Sequence, residues 1–226
     1  MCFSAPVSFA ASVLLLPTGL YSWRLVSQHN PGYLPLASIP IAFAIQQATE
    51  GLVWLGLQTG SPTAMNLGAF SFLAFAYWFW LFWSPWSIAF SESNPVVRRV
   101  SWSLGALGLI YGASLYLPLL LHPGWLSVQV FHHSIAYETQ LIFDPWLSQD
   151  VDRLLYALII LTPFALTSNR LLKGFGGAIA LSAITSDWLL HQVFVSTWCF
   201  FAALLSGLIV FICQSSPIIN LQQDLD

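Results

Sequence analysis

Long apolar runs, broken by turn-forming and charged residues, dominate the chain. Asp, Glu, Lys and Arg are absent from residues 1–23, 100–137 and 188–223, and residues 25–91 contain only Glu50. A helix needs about 20 apolar residues to cross the hydrocarbon core of a bilayer. With allowance for turns, the pattern predicts seven membrane-spanning helices over residues 5–23, 34–57, 66–88, 100–121, 154–168, 173–191 and 194–213.

The composition supports a membrane location. Of the 226 residues, 57% are hydrophobic and 7% are charged, whereas a soluble domain carries about 25% charged residues. This excludes an ordinary soluble enzyme, and six Lys and Arg residues in total exclude a nucleic-acid binder. The sequence therefore predicts one all-α integral membrane domain over residues 1–226, a seven-transmembrane-helix bundle that has the lipid bilayer as its partner.

The basic residues predict the orientation. With the N-terminus outside, five of six basic residues lie in the cytoplasm, which is the side that basic loop residues favour. We therefore expect an N-out, C-in protein of the bacterial inner membrane, without a cleaved signal peptide. The cytoplasmic set is Arg24, Arg98, Arg99, Arg170 and Lys173, and Arg153 alone is outside.

Two segments at the ends of predicted helices resemble each other. Residues 16–25 and 162–171 share Pro, Leu, Ser, Arg and Leu at the same relative positions. This suggests a parallel repeat of halves 1–91 and 151–217 around a linker helix, 100–121, and such repeats occur in transporters. The alternative is a chance match in a Leu-rich chain.

Glu50 is the main candidate for chemistry, because it lies inside an otherwise uncharged span, roughly 10 Å from the outer end at about 1.5 Å per residue. Gln46, Gln47 and Trp54 share its helix face. No Lys or Arg is predicted at this depth, so we expect a neutral or proton-sharing carboxyl group. The alternative to a polar binding site is a hydrogen-bonded clamp between helices.

Asp187 and His191 lie one helical turn apart near the outer end of the sixth span. Asp187 is expected opposite a polar floor of Glu50, Gln46 and Gln47 in an outer cavity, with Trp54 and Trp198 as walls and His191 as a further ligand-binding residue. A metal site would need about two further ligands, from His132, His133 or Glu138 in the outer loop. An interfacial role for the pair is the simpler interpretation, and the sequence predicts no metal site.

The outer loop, residues 122–151, is long for a compact membrane domain. Polarity alternates over residues 127–130 and 135–138, as in half-exposed strands. A β-hairpin lid and an irregular interfacial loop are both compatible with this pattern.

The three cysteines form no Cys-x-x-Cys pair. Cys2 and Cys199 both fall on the predicted outer side, so a disulfide between them and two buried free thiols are both open.

Three segments carry a resemblance to a known family: residues 1–5 (Met-Cys-Phe-Ser-Ala), 46–54 (Gln-Gln-Ala-Thr-Glu-Gly-Leu-Val-Trp) and 196–203 (Ser-Thr-Trp-Cys-Phe-Phe-Ala-Ala). The chain resembles a family of uncharacterised bacterial membrane proteins, which implies no activity or cofactor. The layout is also similar to SWEET and PQ-loop transporters, without the Pro-Gln motif. It is similar to alkaline-ceramidase-like hydrolases too, but the seventh span lacks their histidine pair.

Three functions follow as hypotheses. The first is binding or transport of a small molecule or lipid in an outer polar cavity lined by Gln46, Gln47, Glu50, Trp54, Asp187, His191 and Trp198. The second is an intramembrane metal-dependent hydrolase. The third is a structural or assembly subunit of a membrane complex.

Overall fold

The computed structural model describes residues 4–131 and 133–215, without the side chains of residues 190 and 191. The described residues form seven long helical segments and one β-hairpin. The elements are α1 (Ala5–His29), α2 (Leu34–Ala37), α3 (Ile39–Thr59), α4 (Pro62–Leu73), α5 (Trp80–Ser91), α6 (Pro95–Leu121), β1 (Leu126–Phe131), β2 (Ser134–Thr139), α7 (Gln149–Leu166), α8 (Arg170–Leu190), α9 (Phe194–Ser206) and α10 (Ile209–Gln214).

The seven predicted helices are confirmed as helices, and four are long and apolar enough to cross a membrane. These four are Ala5–His29, Pro62–Ser91, Pro95–Leu121 and Phe194–Gln214. Several begin earlier than the apolar pattern indicates, because capping residues set the start. Asn94 Oδ1, for example, accepts the N–H of Val96 at 2.9 Å and starts α6 at Pro95.

The helix Pro62–Ser91 contains a π-helical stretch, Ala74–Phe79, between α4 and α5. π-Helical turns are rare in proteins, and those that occur are frequently found at functional sites. The Ala76 carbonyl oxygen accepts a hydrogen bond of 2.6 Å from the Tyr156 hydroxyl of α7. The stretch is therefore tied to a second helix, which the sequence pattern did not predict.

Glycine allows α6 to approach α5 closely. A Cβ added at Gly108 would overlap the backbone carbonyl of Leu81 and touch Ile159 of α7. A side chain of any size would push these three helices apart.

The outer loop contains the β-hairpin. Strands β1 and β2 pair antiparallel, with Val128 opposite Tyr137 and Gln129 opposite Ala136. Ile135, Ala136 and Tyr137 are buried against the bundle. We call this end of the bundle the hairpin end.

At the opposite end, Glu92 connects two parts of the chain. Its Oε2 accepts hydrogen bonds from the Thr167 hydroxyl at 2.7 Å and the Ser168 N–H at 2.8 Å, and its Oε1 accepts the Asn94 N–H at 3.0 Å. Burial raises the pKa of this carboxyl, but these hydrogen bonds outweigh burial and hold the pKa below its ordinary value. Glu92 therefore fixes the end of α5 to the turn between α7 and α8.

The internal repeat stays a prediction. Pro17 and Pro163, the prolines of the two similar segments, both lie inside helices. The acids of the next helices differ in setting, because Glu50 is buried while the Asp187 side chain is 46% exposed.

Candidate functional site

A cavity of about 620 Å³ lies between the hairpin and the helices beneath it. We call it the chamber. The π-helical stretch, α6, β1, β2, α7 and the start of α9 all contribute to its walls. Its polar wall residues are Tyr77, Gln129, Tyr137, Glu138, Thr139, Gln149, Asp152, Arg153, Tyr156, Gln192, Trp198 and Cys199.

Hydrogen bonds hold the hairpin wall in place. The Tyr77 hydroxyl and Thr139 Oγ1 are 3.0 Å apart, joining the π-helical stretch to β2. Across the hairpin, Gln129 Nε2 donates to Glu138 Oε2 at 3.1 Å. The π-helical stretch therefore supports one chamber wall directly.

Arg153 is the positively charged residue of the chamber wall, and it already interacts with the side chains of Asp187 and Phe194. Its Nη1 lies 2.8 Å from Asp187 Oδ1, and its guanidinium stands 4.9 Å from the centre of the Phe194 ring. The neighbouring Asp152 accepts a hydrogen bond of 2.9 Å from the Tyr111 hydroxyl. With Glu138 in the same wall, the chamber offers more negative than positive charge.

A second, smaller cavity of about 50 Å³ extends into the bundle core. We call it the slot. Its walls are almost wholly apolar: Ile39, Phe43, Trp80, Ile160, Phe164, Phe175, Ile179 and Ala202, with Ser84 as a polar exception. Tyr156, Trp198 and Cys199 line both the slot and the chamber. The polar chamber and the apolar slot therefore adjoin at these three side chains.

Glu50 lies behind the chamber wall in a buried polar cluster. Gln46, Gln47 and Glu50 are 0%, 0% and 3% exposed. Ser196 Oγ donates to Glu50 Oε1 at 2.5 Å, and Trp80 Nε1 donates to Gln46 Oε1 at 2.8 Å. These bonds connect α3 to α9 and α5.

Several polar atoms near Glu50 have no hydrogen-bond partner among the described residues. Buried polar groups usually have partners, and each exception requires an explanation. The atoms are Gln46 Nε2, Gln47 Nε2 and Oε1, Trp54 Nε1, Tyr137 Oη and Thr197 Oγ1.

Helix α9 connects Glu50 with the chamber wall. Ser196 of α9 donates to Glu50, and its helix neighbours Val195 and Cys199 line the chamber, as does Tyr137 of β2. Burial raises the pKa of the Tyr137 phenol well above its ordinary value, and Glu50 and Cys199 raise it further.

The structure distributes the residues singled out in the sequence over three places. Trp198 lines the chamber, whereas Gln46, Gln47, Glu50 and Trp54 are buried behind it. The remaining two residues are Asp187 and His191, and their place opposite Glu50 stays a prediction. Asp187 forms an ion pair with Arg153, and the side chain of His191 lies outside the described residues.

The chamber walls also contain residues that the sequence analysis did not select. Asp152 and Arg153 stand in the first turn of α7, where the charge pattern indicated only the start of a span. Tyr77 lay in an aromatic run typical of a membrane interface.

The metal and disulfide hypotheses both involve residues that lie outside the described part of the chain. Within residues 4–131 and 133–215, excluding the two undescribed side chains, no three His, Cys, Asp or Glu residues are grouped to hold a metal ion. His132 lies outside the described residues. Cys199 is a buried free cysteine, and Cys2 also lies outside the described residues.

A family model described as a family of unknown function (DUF6629) matches residues 1–223. No curated protein matches the chain, and neither does any solved structure.

Proposed function

The chain belongs to the DUF6629 family, whose function is unknown, and we propose that it binds a single-chain amphiphile in the chamber and slot. We further propose that it does so as a multi-pass protein of a bacterial inner membrane, with the hairpin end and the N-terminus outside. Binding, transport and this orientation are proposals that rest on the features below.

The apolar outer surface supports the membrane location. Large apolar side chains project from the long helices, including Leu14, Leu67 and Ile110, which are 68%, 61% and 71% exposed. Exposed apolar surface on this scale requires a cover, and lipid chains provide it for four helices long enough to span a bilayer. The excess of basic residues on the predicted inner side supports the orientation.

The contact between chamber and slot is the observation that carries the proposed function. The chamber of about 620 Å³ is within the range of about 300–1,000 Å³ for small-molecule sites. The polar residues of the chamber suit a polar group. The apolar residues of the chamber suit most of a hydrocarbon chain, and the slot beyond Trp198, at about 50 Å³, suits only the end of that chain. A molecule that has both parts would use both cavities.

The charges favour an uncharged or positively charged polar group. Arg153 is paired with Asp187, so a phosphate would have to compete with a carboxylate for it. Glu138 and Asp152 would repel an anion further. Hydroxyl and amine groups of a ligand would instead donate hydrogen bonds to acceptor atoms in the chamber walls.

Binding of monomyristoyl glycerol, an uncharged single-chain amphiphile, to the purified protein in maltoside micelles tests the proposal. Native mass spectrometry measures the bound fraction. Ala202→Trp fills the slot and should weaken binding by at least about tenfold, or ~1.4 kcal/mol. Leu204→Trp is the matched control on the same helix, because Leu204 is exposed.

Equal binding by the parent and Ala202→Trp would overturn the proposal. Ala202→Leu adds less volume, so it should give an intermediate loss in a protein that folds more readily. A graded loss from Leu to Trp, with Leu204→Trp unchanged, is the expected result.

A further inference from the structure

The Glu50 carboxyl group has no cationic partner among the described residues. The ion pair found among the described residues joins Arg153 to Asp187 and does not include Glu50. Taking an ionised carboxylate out of water without a cation is costly, and such groups usually bind a proton instead. Because Glu50 is only 3% exposed, this argument applies in full.

The surroundings of Glu50 can also stabilise its ionised form. Gln47 Nε2 and Trp54 Nε1 are donors on the same face of α3, and they have no acceptor among the described residues. A carboxylate that gains such donors becomes easier to ionise. The site therefore contains what both protonation states need: burial for the neutral form and unused donors for the charged form.

Residues of the chamber wall provide a link to Glu50. Ser196, which donates to Glu50, is three residues before Cys199 on α9, and both Cys199 and Tyr137 line the chamber. The Tyr137 hydroxyl has no hydrogen-bond partner among the described residues. A hydroxyl group both donates and accepts, so it can pass a proton between chamber water and a carboxylate.

We infer that Glu50 is a proton-binding site coupled to the chamber, and that it takes up one proton from the bulk solution when an amphiphile enters the chamber and displaces its water. The coupling rests on the proposed function, whereas the proton site stands without it. Ligand in the chamber removes water from Tyr137 and Cys199. This increases the desolvation of Glu50 and favours its neutral form.

The groups that face Glu50 leave few other candidates for this proton. Helices α1, α2 and α4 pack against α3, and α2 and α4 contain no titratable side chain. The titratable side chains of α1 are Tyr21, Arg24 and His29, all in its second half. The titratable groups near Glu50 include Tyr137 of β2 and Cys199 of α9.

Infrared difference spectroscopy of the ligand-free protein tests the proton site. Changing the pH should change the C=O stretch of a protonated carboxyl group, and Glu50→Gln should remove that band. Ser196→Ala should shift the band, because it removes a hydrogen bond to the same group. Glu138→Gln and Asp152→Asn are controls that should keep it. A spectrum without a band that depends on Glu50 would overturn the proton site.

The pH dependence of monomyristoyl glycerol binding tests the coupling, because this probe has no titratable group. Uptake of one proton predicts that affinity falls by up to about tenfold per pH unit on the alkaline side. Glu50→Gln should bind with the low-pH affinity of the parent at every pH. Asp150→Asn is the control, because Asp150 is an exposed acid that does not line the chamber, and it should keep the dependence of the parent.

The outcomes separate the two proposals. A Glu50→Gln protein whose affinity falls with pH as in the parent would overturn the coupling. Absence of probe binding at every pH would overturn the proposed function and the coupling together. The infrared band would then still decide whether Glu50 holds a proton.

Discussion

Ser196 Oγ, in the first turn of α9, donates a hydrogen bond of 2.5 Å to Oε1 of Glu50 in the middle of α3. Both residues are buried, and the bond connects two helices that are 146 residues apart at this point. Phe194 and Trp198, on either side of Ser196, line the chamber. A change at Glu50 therefore reaches the chamber through α9 as well as through Tyr137.

This bond predicts different results for two substitutions of Glu50. Glu50→Gln keeps an acceptor for Ser196 and should leave the free energy of unfolding nearly unchanged. Glu50→Leu leaves Ser196 unpaired in the core and should lower it by about 1–3 kcal/mol. Thermal unfolding in maltoside micelles measures both variants. Equal stability of Glu50→Leu and the parent would show that the clamp contributes nothing.

Glu92 should make stability fall at acid pH. Its folded-state pKa is below the ordinary value of 4.5, so the ionised form is favoured by folding. Its stabilisation is complete above that ordinary value and is lost as the pH falls through the lower folded-state pKa. We predict that the Glu92→Gln protein is less stable than the parent near neutral pH. Its stability should also fall less than that of the parent as the pH becomes acidic.

Unfolding midpoints measured across this acid range check the prediction for Glu92. The matched control is Glu138→Gln, because Glu138 is an exposed carboxylate at the other end of the bundle. If Glu92→Gln and Glu138→Gln show the same pH profile, Glu92 does not hold the α5 end to the α7–α8 turn through its charge.

Two glycines in helices should respond in opposite directions to alanine. A Cβ at Gly108 would overlap the Leu81 carbonyl, whereas a Cβ at Gly177 of α8 would meet open space. We predict that Gly108→Ala destabilises the protein by about 1–3 kcal/mol through overpacking. Gly177→Ala should stabilise it by up to about 1 kcal/mol through helix propensity. A Gly108→Ala protein as stable as the parent would contradict the α5–α6 packing described above, whereas destabilisation by Gly177→Ala would contradict the open space found at that position.

The orientation predicts a cytoplasmic C-terminus. A fluorescent protein fused after Asp226 should fold in the cytoplasm and fluoresce. A phosphatase that requires the periplasm should be inactive when it is fused at the same position. The same phosphatase inserted in the turn after Phe131, between the hairpin strands, should be active. The reverse pattern would contradict the orientation and place the chamber on the inner side.

The helices could be predicted because charge and turn residues mark their limits directly along the chain. The hairpin was one of two open alternatives, since alternation over four residues is also found in irregular loops. The π-helical stretch gave no such signal, because its tie to Tyr156 comes from a helix 80 residues away. Long-range hydrogen bonds of this kind depend on tertiary packing.

The candidate site was predictable only in part, for the same reason. Glu50 stood out because a buried acid is rare in an apolar span. Arg153 and Asp187 were each visible as charges, but their pairing depends on how α7 and α8 pack. Trp198 was one of eleven tryptophans, and only the fold separates it from those at the surface.

Photo-crosslinking with a monoacylglycerol that carries a diazirine in its acyl chain, followed by peptide mass spectrometry, tests whether an amphiphile occupies the chamber and slot. Binding there predicts labels at slot residues such as Ile160, Phe164 and Ile179, lost in Ala202→Trp and kept in Leu204→Trp. Labels confined to outward-facing residues such as Leu14, Ile110 and Ile184, and unchanged in Ala202→Trp, would show that the protein contacts amphiphiles only as surrounding lipid and would contradict binding in the slot.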